Sequence, residues 1–156
     1  MLDKAKIVRE EDEFEFISLV AGGQSFCMEL DRVREIRRWE PITMIPHSPK
    51  FVLGVVNLRG TVVPIVDLAM QLGFERIHPT GRSVIIISSL GKQIIGFLVD
   101  SVSEILAIKS PQVQEAPSLG SFDEHPYLQG VLSIGDEMVR MVNIDMLMAK
   151  EKKYAR

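Results

Sequence analysis

From Phe14 onward the chain runs in short apolar stretches rich in β-branched residues, each bounded by glycine or proline. That pattern predicts strands of about five to eight residues. "FEFISLV" and "SFCMEL" flank Gly22 and Gly23, and "FVLGVVNL" and "TVVPIVDL" flank Arg59 and Gly60. "SVIIISSL" and "QIIGFLVD" flank Gly91 and Lys92, and "LQGVLSI" and "EMVRMVNI" flank Gly135 and Asp136. Each pair reads as a β-hairpin. Helical signals are few: Asp67 is placed to cap "LAMQLG", and Asn143 to cap "IDMLMAKEKK".

The pattern also repeats. "LDRVREI" returns as "VDSVSEI", preserving Asp31/Asp100, Val33/Val102, Glu35/Glu104 and Ile36/Ile105. "FVLGV" returns as "YLQGV", and in the same alignment "VPIVDL" lies on "VRMVNI". The extra residues of the second half fall in the loop "SPQVQEAPSLGSFDEHP". One chain plan used twice predicts two halves, about 14–75 and about 80–148, with 1–13 as an N-terminal extension and room for strand exchange near the termini. About five strands per half are too few to bury both faces of an open sheet, so each half is expected to curl into a small barrel. The expected class is therefore all-β, two five-stranded barrels side by side with a short helix after each. Their junction makes a groove of the kind that takes ligands or peptides.

Composition narrows the function. Of 156 residues 46% are hydrophobic and only 6% aromatic, so the core must rest on Val, Ile, Leu and Met. A net charge of −3 gives no overall field to attract a polyanion, which argues against nucleic acid as a partner. The lone cysteine, Cys27, excludes an intrachain disulfide and a cysteine zinc cluster and fits a reducing cytoplasm. "MLDKAKIVREEDEFEF" lacks the apolar core of a signal peptide, and no apolar run approaches the roughly 18 residues that span a bilayer. The expectation is a cytoplasmic protein.

Catalytic patterns are missing. His47, His78 and His125 sit in proline-flanked loops without metal-ligand spacing, and no metal or cofactor is expected. Cys27 lies in an apolar run, where a thiol behaves as a small hydrophobe. The chain has no G-x-S-x-G elbow, P-loop or G-x-G-x-x-G. Asp31, Glu35, Asp100 and Glu104 recur in both halves, as parts of a repeated structural turn would, and nothing near them or Asp67 is placed to tune a catalytic carboxylate. "RVREIRRW" gathers Arg32, Arg34, Arg37 and Arg38 around Trp39, interleaved with Glu35 and Glu40, which reads as a solvated or protein-contacting face. Arg59, in a hairpin turn, is either a solubilising surface residue or a rigidly presented fork for a partner's carboxylate or carbonyl.

"IPHSPKFVLGVVNLRGTVVPIVDL" resembles the signature of the CheW family, the coupling proteins of bacterial chemotaxis, and the likeness continues through "VIIISSLGKQIIGFLVDSVSEIL" and "YLQGVLSIGDEMVRMVNIDMLM". The resemblance covers roughly 14–148 and implies a single domain, 14–156, of two SH3-like barrels with no enzymatic activity. It implies two partners, the cytoplasmic tips of methyl-accepting chemoreceptors and the regulatory domain of the histidine kinase CheA, met at membrane-associated receptor arrays. Carried over by motif, the receptor groove is lined by Val33, Glu35, Gly54, Asn57, Arg59, Val84, Gly96 and Ile105. Kinase contacts are expected at Ile42, Met44, Leu119 and Phe122. Many relatives read D-L-R where this chain has Asp67, Leu68 and Ala69, so a contact through that arginine is not expected here. The competing reading is a small-molecule-binding or hydrolytic barrel using the same cleft, recognisable by convergent polar groups and a shifted carboxylate or histidine.

Overall fold

The computed structural model describes residues 13–109, 113–114 and 127–151. The described residues form eleven strands: β1 (Glu13–Ala21), β2 (Gln24–Glu29), β3 (Val33–Arg38), β4 (Val52–Leu58), β5 (Thr61–Asp67), β6 (Val84–Leu90), β7 (Gln93–Val99), β8 (Ser101–Lys109), β9 (Val113–Gln114), β10 (Leu128–Ile134) and β11 (Glu137–Val142). Two helices, α1 (Leu68–Gln71) and α2 (Ile144–Glu151), follow β5 and β11. The four predicted hairpins and both predicted helix caps are in place. Asp67 accepts from the Met70 N–H at 3.1 Å, and Asn143 from the Met146 N–H at 3.1 Å.

The strands form two sheets, ordered β8-β1-β2-β11-β10-β9 and β3-β6-β7-β5-β4. Each sheet draws strands from both sides of the boundary expected at 75–80. The second sheet takes β3, β4 and β5 from the first half and β6 and β7 from the second, while the first takes β1 and β2 with β8 to β11. The two halves trade their leading hairpins.

The traded hairpin has a physical reason. Phe16 of β1 and Cys27 of β2 pack with Leu132, Val139 and Met141 in a small core. Ile17, Leu19, Phe26 and Met28 from the same two strands join Ile65, Ile86 and Phe97 in the large core. A hairpin apolar on both faces must be covered on both, and fully burying a Leu, Ile or Phe side chain contributes roughly 1.5–3 kcal/mol. Lying in one sheet while packing against the other achieves this. Burial, with the negative Glu29 nearby as a lesser cause, pushes the Cys27 thiol up to about 12, as an inert core thiol requires.

The repeated "D-x-V-x-E-I" segments mark where the chain passes between sheets: the 3-10 turn Leu30–Arg32 leads into β3, and Asp100 leads into β8. Both crossings are fastened. Arg32 Nε donates to Asp145 of α2 at 2.9 Å, and Asp100 accepts from the Gly23 N–H at 3.3 Å. The likeness reaches the irregularities, because the register shifts between Val33 and Glu35 on β3 and opposite the Ser18/Leu19 step on β8. Gly54 and Gly130 likewise each end a register shift in their hairpins.

Closure is also duplicated. Beyond the end of β3, Thr43 bridges Val55 on the outer edge of β4. In the other sheet β9, which follows β8, pairs with Leu132 and Val131 of β10 and is a sixth strand the sequence did not announce. Each five-stranded set is thus joined end to end by the segment leaving its edge strand, as a small barrel requires.

Candidate docking site

The site is built on the turn between β4 and β5. Arg59 and Gly60 both have positive φ, 50° and 86°, the condition for the mirror-image two-residue turn whose twist suits a hairpin. Asn57, the last exposed residue of β4, accepts from the Gly60 N–H at 2.9 Å and pins the turn. Arg59 is therefore held at its root while its side chain is 73% exposed.

From that turn Arg59 Nη2 donates to Glu35 Oε2 of β3 at 2.6 Å. The other oxygen of Glu35 accepts from Arg37 at 3.1 Å, and Arg37 reaches Glu40 at 3.4 Å. The four charges alternate along the rim of the β3-to-β4 sheet. Hydrogen bonds from Arg59, then from Arg37, hold the Glu35 carboxyl below the usual carboxylate range. Glu35 engages one of the guanidinium's five N–H donors, so most of the fork still faces outward.

Of the residues carried over by motif, Glu35, Asn57 and Arg59 come together. Val33 lies on β3, half-buried against the large core, and Val84 pairs with Arg38 at the other end of that strand. Ile105 is 55% exposed on β8, the outermost strand of the other sheet. Gly54 and Gly96, also expected in the groove, are buried and present little open surface of their own. A Cβ on Gly54 would strike the Thr43 carbonyl, and one on Gly96 would lie 2.6 Å from Ile65 Cδ1 and 2.8 Å from Ile85 Cγ2. These two glycines let strands pack beneath the site.

The sequence reading missed Val62. It pairs with Asn57 across the hairpin and is 64% exposed, an apolar side chain open to solvent on the same hairpin as Arg59. The signal was present, since in "TVVPIV" the buried alternates Val63 and Ile65 send Val62 outward.

Ile42 and Met44 lie elsewhere, in an open cleft of ≈ 480 Å³ with Trp39, Leu53, Met70 and Ile77, edged by Lys50 and Arg76. Its described lining contains no carboxylate, histidine, serine or cysteine, so it lacks the groups a hydrolytic cleft needs. Leu119, Phe122 and His125 fall outside the described residues. Among the described residues no group of His, Cys, Asp and Glu is arranged to hold a metal ion, and no helix is long and apolar enough to cross a membrane.

Comparison with known proteins agrees with this architecture. The family described as "CheW-like domain" matches residues 15–152. The chain is 42% identical over 141 residues to the chemotaxis protein CheW of Rhizobium meliloti (strain 1021), covering 90% of this chain and 91% of that one. It is 30% identical over 148 residues to the CheW of Klebsiella aerogenes, covering 95% and 89%. The crystal structure of the scaffolding protein TtCheW from Thermoanaerobacter tengcongensis superposes with a TM-score of 0.76 at 25% identity, covering 84% of this chain and 89% of that one. The chain belongs to the CheW family of chemotaxis scaffold proteins, which are not enzymes.

Proposed function

We propose that this chain couples chemoreceptor tips to the kinase CheA in the cytoplasm, at membrane-associated receptor arrays, by seating the receptor's helical hairpin against the Glu35–Arg59 rim. Val33, Asn57, Val84 and Ile105 supply the rest of the contact surface, and Gly54 and Gly96 shape it from beneath. The observation that carries the reading is the Arg59 side chain, 73% exposed, on a turn anchored by Asn57 and aimed by Glu35. A guanidinium fixed in this way fits a carboxylate or a helix-terminal carbonyl with little ordering cost. The kinase regulatory domain is assigned to the apolar cleft around Ile42 and Met44 and to Leu119 and Phe122.

The test is capture of purified receptor cytoplasmic fragments, with kinase output read in the three-component mixture. Arg59→Glu reverses the charge at the rim without entering the core, so it should fold normally and lose receptor capture. Met44→Glu should retain receptor capture and lose kinase binding. Unchanged capture by folded Arg59→Glu removes the receptor assignment.

A further inference from the structure

The sequence motif "RVREIRRW" is only half used by the site above. Glu35 and Arg37 belong to the half-buried alternates of β3, whereas Arg34, Ile36 and Arg38 are the exposed ones. Arg34, Ile36 and Arg38 thus share the exposed face of β3 in the order cation, apolar, cation, with Arg34 at the register shift between Val33 and Glu35. Ile36 is 41% exposed, and neither Arg34 nor Arg38 makes a hydrogen bond or ion pair with a described residue. β3 is also the outermost strand of its sheet, so its backbone on the side away from β6 pairs with no strand.

The second half of the chain provides a control. β8 is the outermost strand at the corresponding place and keeps the isoleucine as Ile105, but Arg34 and Arg38 correspond there to Ser103 and Ala107. The fold therefore builds this edge without arginines. Arginines on an edge repel a second copy of the same strand, which disfavours self-pairing. The same charges attract an acidic strand.

We infer that the outer edge of β3 is a second docking surface, which takes an extended acidic segment of a protein partner with alternating carboxylate and apolar side chains. Its backbone adds to β3, its carboxylates meet Arg34 and Arg38, and its apolar residue covers Ile36. The chain's overall charge of −3 does not favour such a partner, so the attraction is local to this stripe.

The experiment uses the whole chain and a labelled synthetic peptide of alternating Glu and Val, read by fluorescence anisotropy at low salt. A peptide of the same composition with its glutamates in one block, a Lys/Val peptide, an oligothymidylate and an anionic phosphatidylglycerol vesicle are run beside it. The expected result is tightest binding of the alternating Glu/Val peptide, with slowed hydrogen exchange of β3 amides. Arg34→Glu with Arg38→Glu should weaken it by on the order of tenfold or more. The Arg34→Gln, Arg38→Gln pair should weaken it less and serves as the folding control. Equal binding of the block peptide, or tighter binding of the oligonucleotide or vesicle, overturns the proposal. So does loss of receptor-fragment capture in the Gln pair as severe as that of Arg59→Glu, since the stripe would then belong to the receptor seat.

Discussion

Arg59 and Gly135 hold the same place in the two halves of the chain: each is the first residue of its hairpin's two-residue turn, with φ of 50° and 59°. A left-handed backbone costs a residue with a side chain roughly 1–2 kcal/mol, and glycine avoids most of that. The second half follows the local preference and the first half does not, so the arginine is retained against its own turn. Its pair with Glu35 lies at the solvent-exposed rim, where an ion pair adds little to stability. Arg59→Gly should therefore be at least as stable as the parent in urea denaturation while losing receptor capture. A midpoint below that of the parent would show that the Glu35 pair outweighs the strain.

Glu35 should report the same pair by titration. Its pKa is depressed, so the ion pair's contribution is present above the ordinary glutamate range and disappears as pH falls through the lowered value. Carboxyl-carbon NMR should place the Glu35 midpoint below that of a free glutamate. Arg59→Gln should raise it further than Arg37→Gln does, because the Arg59 hydrogen bond is the larger cause. Identical midpoints in both variants and the parent would mean that the pair does not persist in solution.

Much of the fold was readable from local pattern. Apolar runs and turn residues located the hairpins, and the spacing of Asp67 and Asn143 located the caps. Strand exchange was expected near the termini, but which hairpins trade was not readable, because alternation says which residues a strand buries and not which sheet buries them. A hint lay in "FEFISLV", where Phe16 and Ile17 are adjacent and both buried, so that neighbouring positions face different cores. The motif named both Glu35 and Arg59, and the structure joins them in one hydrogen bond at the rim proposed as the seat. At Gly54 and Gly96 the motif located the residue but not its surroundings: both are buried, and an added Cβ would meet Thr43 at the first and Ile65, Ile85 and Ile87 at the second.

The packing at Gly96 is testable. An added methyl would press on the ends of Ile65, Ile85 and Ile87, at 2.6, 2.8 and 3.1 Å. Overpacking of this kind costs about 1–3 kcal/mol. Gly96→Ala should lose stability on that scale, and Ile65→Val, which removes the nearest carbon, should restore part of it in the double variant. Full stability of Gly96→Ala combined with lost receptor capture would instead return Gly96 to the surface of the seat.

Asp67 and Asn143 cap equivalent helices, yet the residue types are not interchangeable. Asp67 is fully buried, and its two oxygens serve different donors: Oδ1 takes the Met70 N–H and Oδ2 takes the Ile77 N–H at 2.9 Å. Asn143 takes the Met146 N–H through Oδ1. A carboxylate is needed where two donors converge, although burial raises the Asp67 pKa against the pull of those N–H groups. Asp67→Asn would turn an amide N–H toward the Ile77 N–H and leave a buried donor unpaired, a loss of about 1–3 kcal/mol. Asn143→Asp keeps its acceptor at a helix N-terminus and should change stability by no more than about 1 kcal/mol. Urea denaturation of the two single variants measures the asymmetry directly. If Asp67→Asn proved as harmless as Asn143→Asp, the Ile77 bond would not be what holds the 72–77 segment against α1.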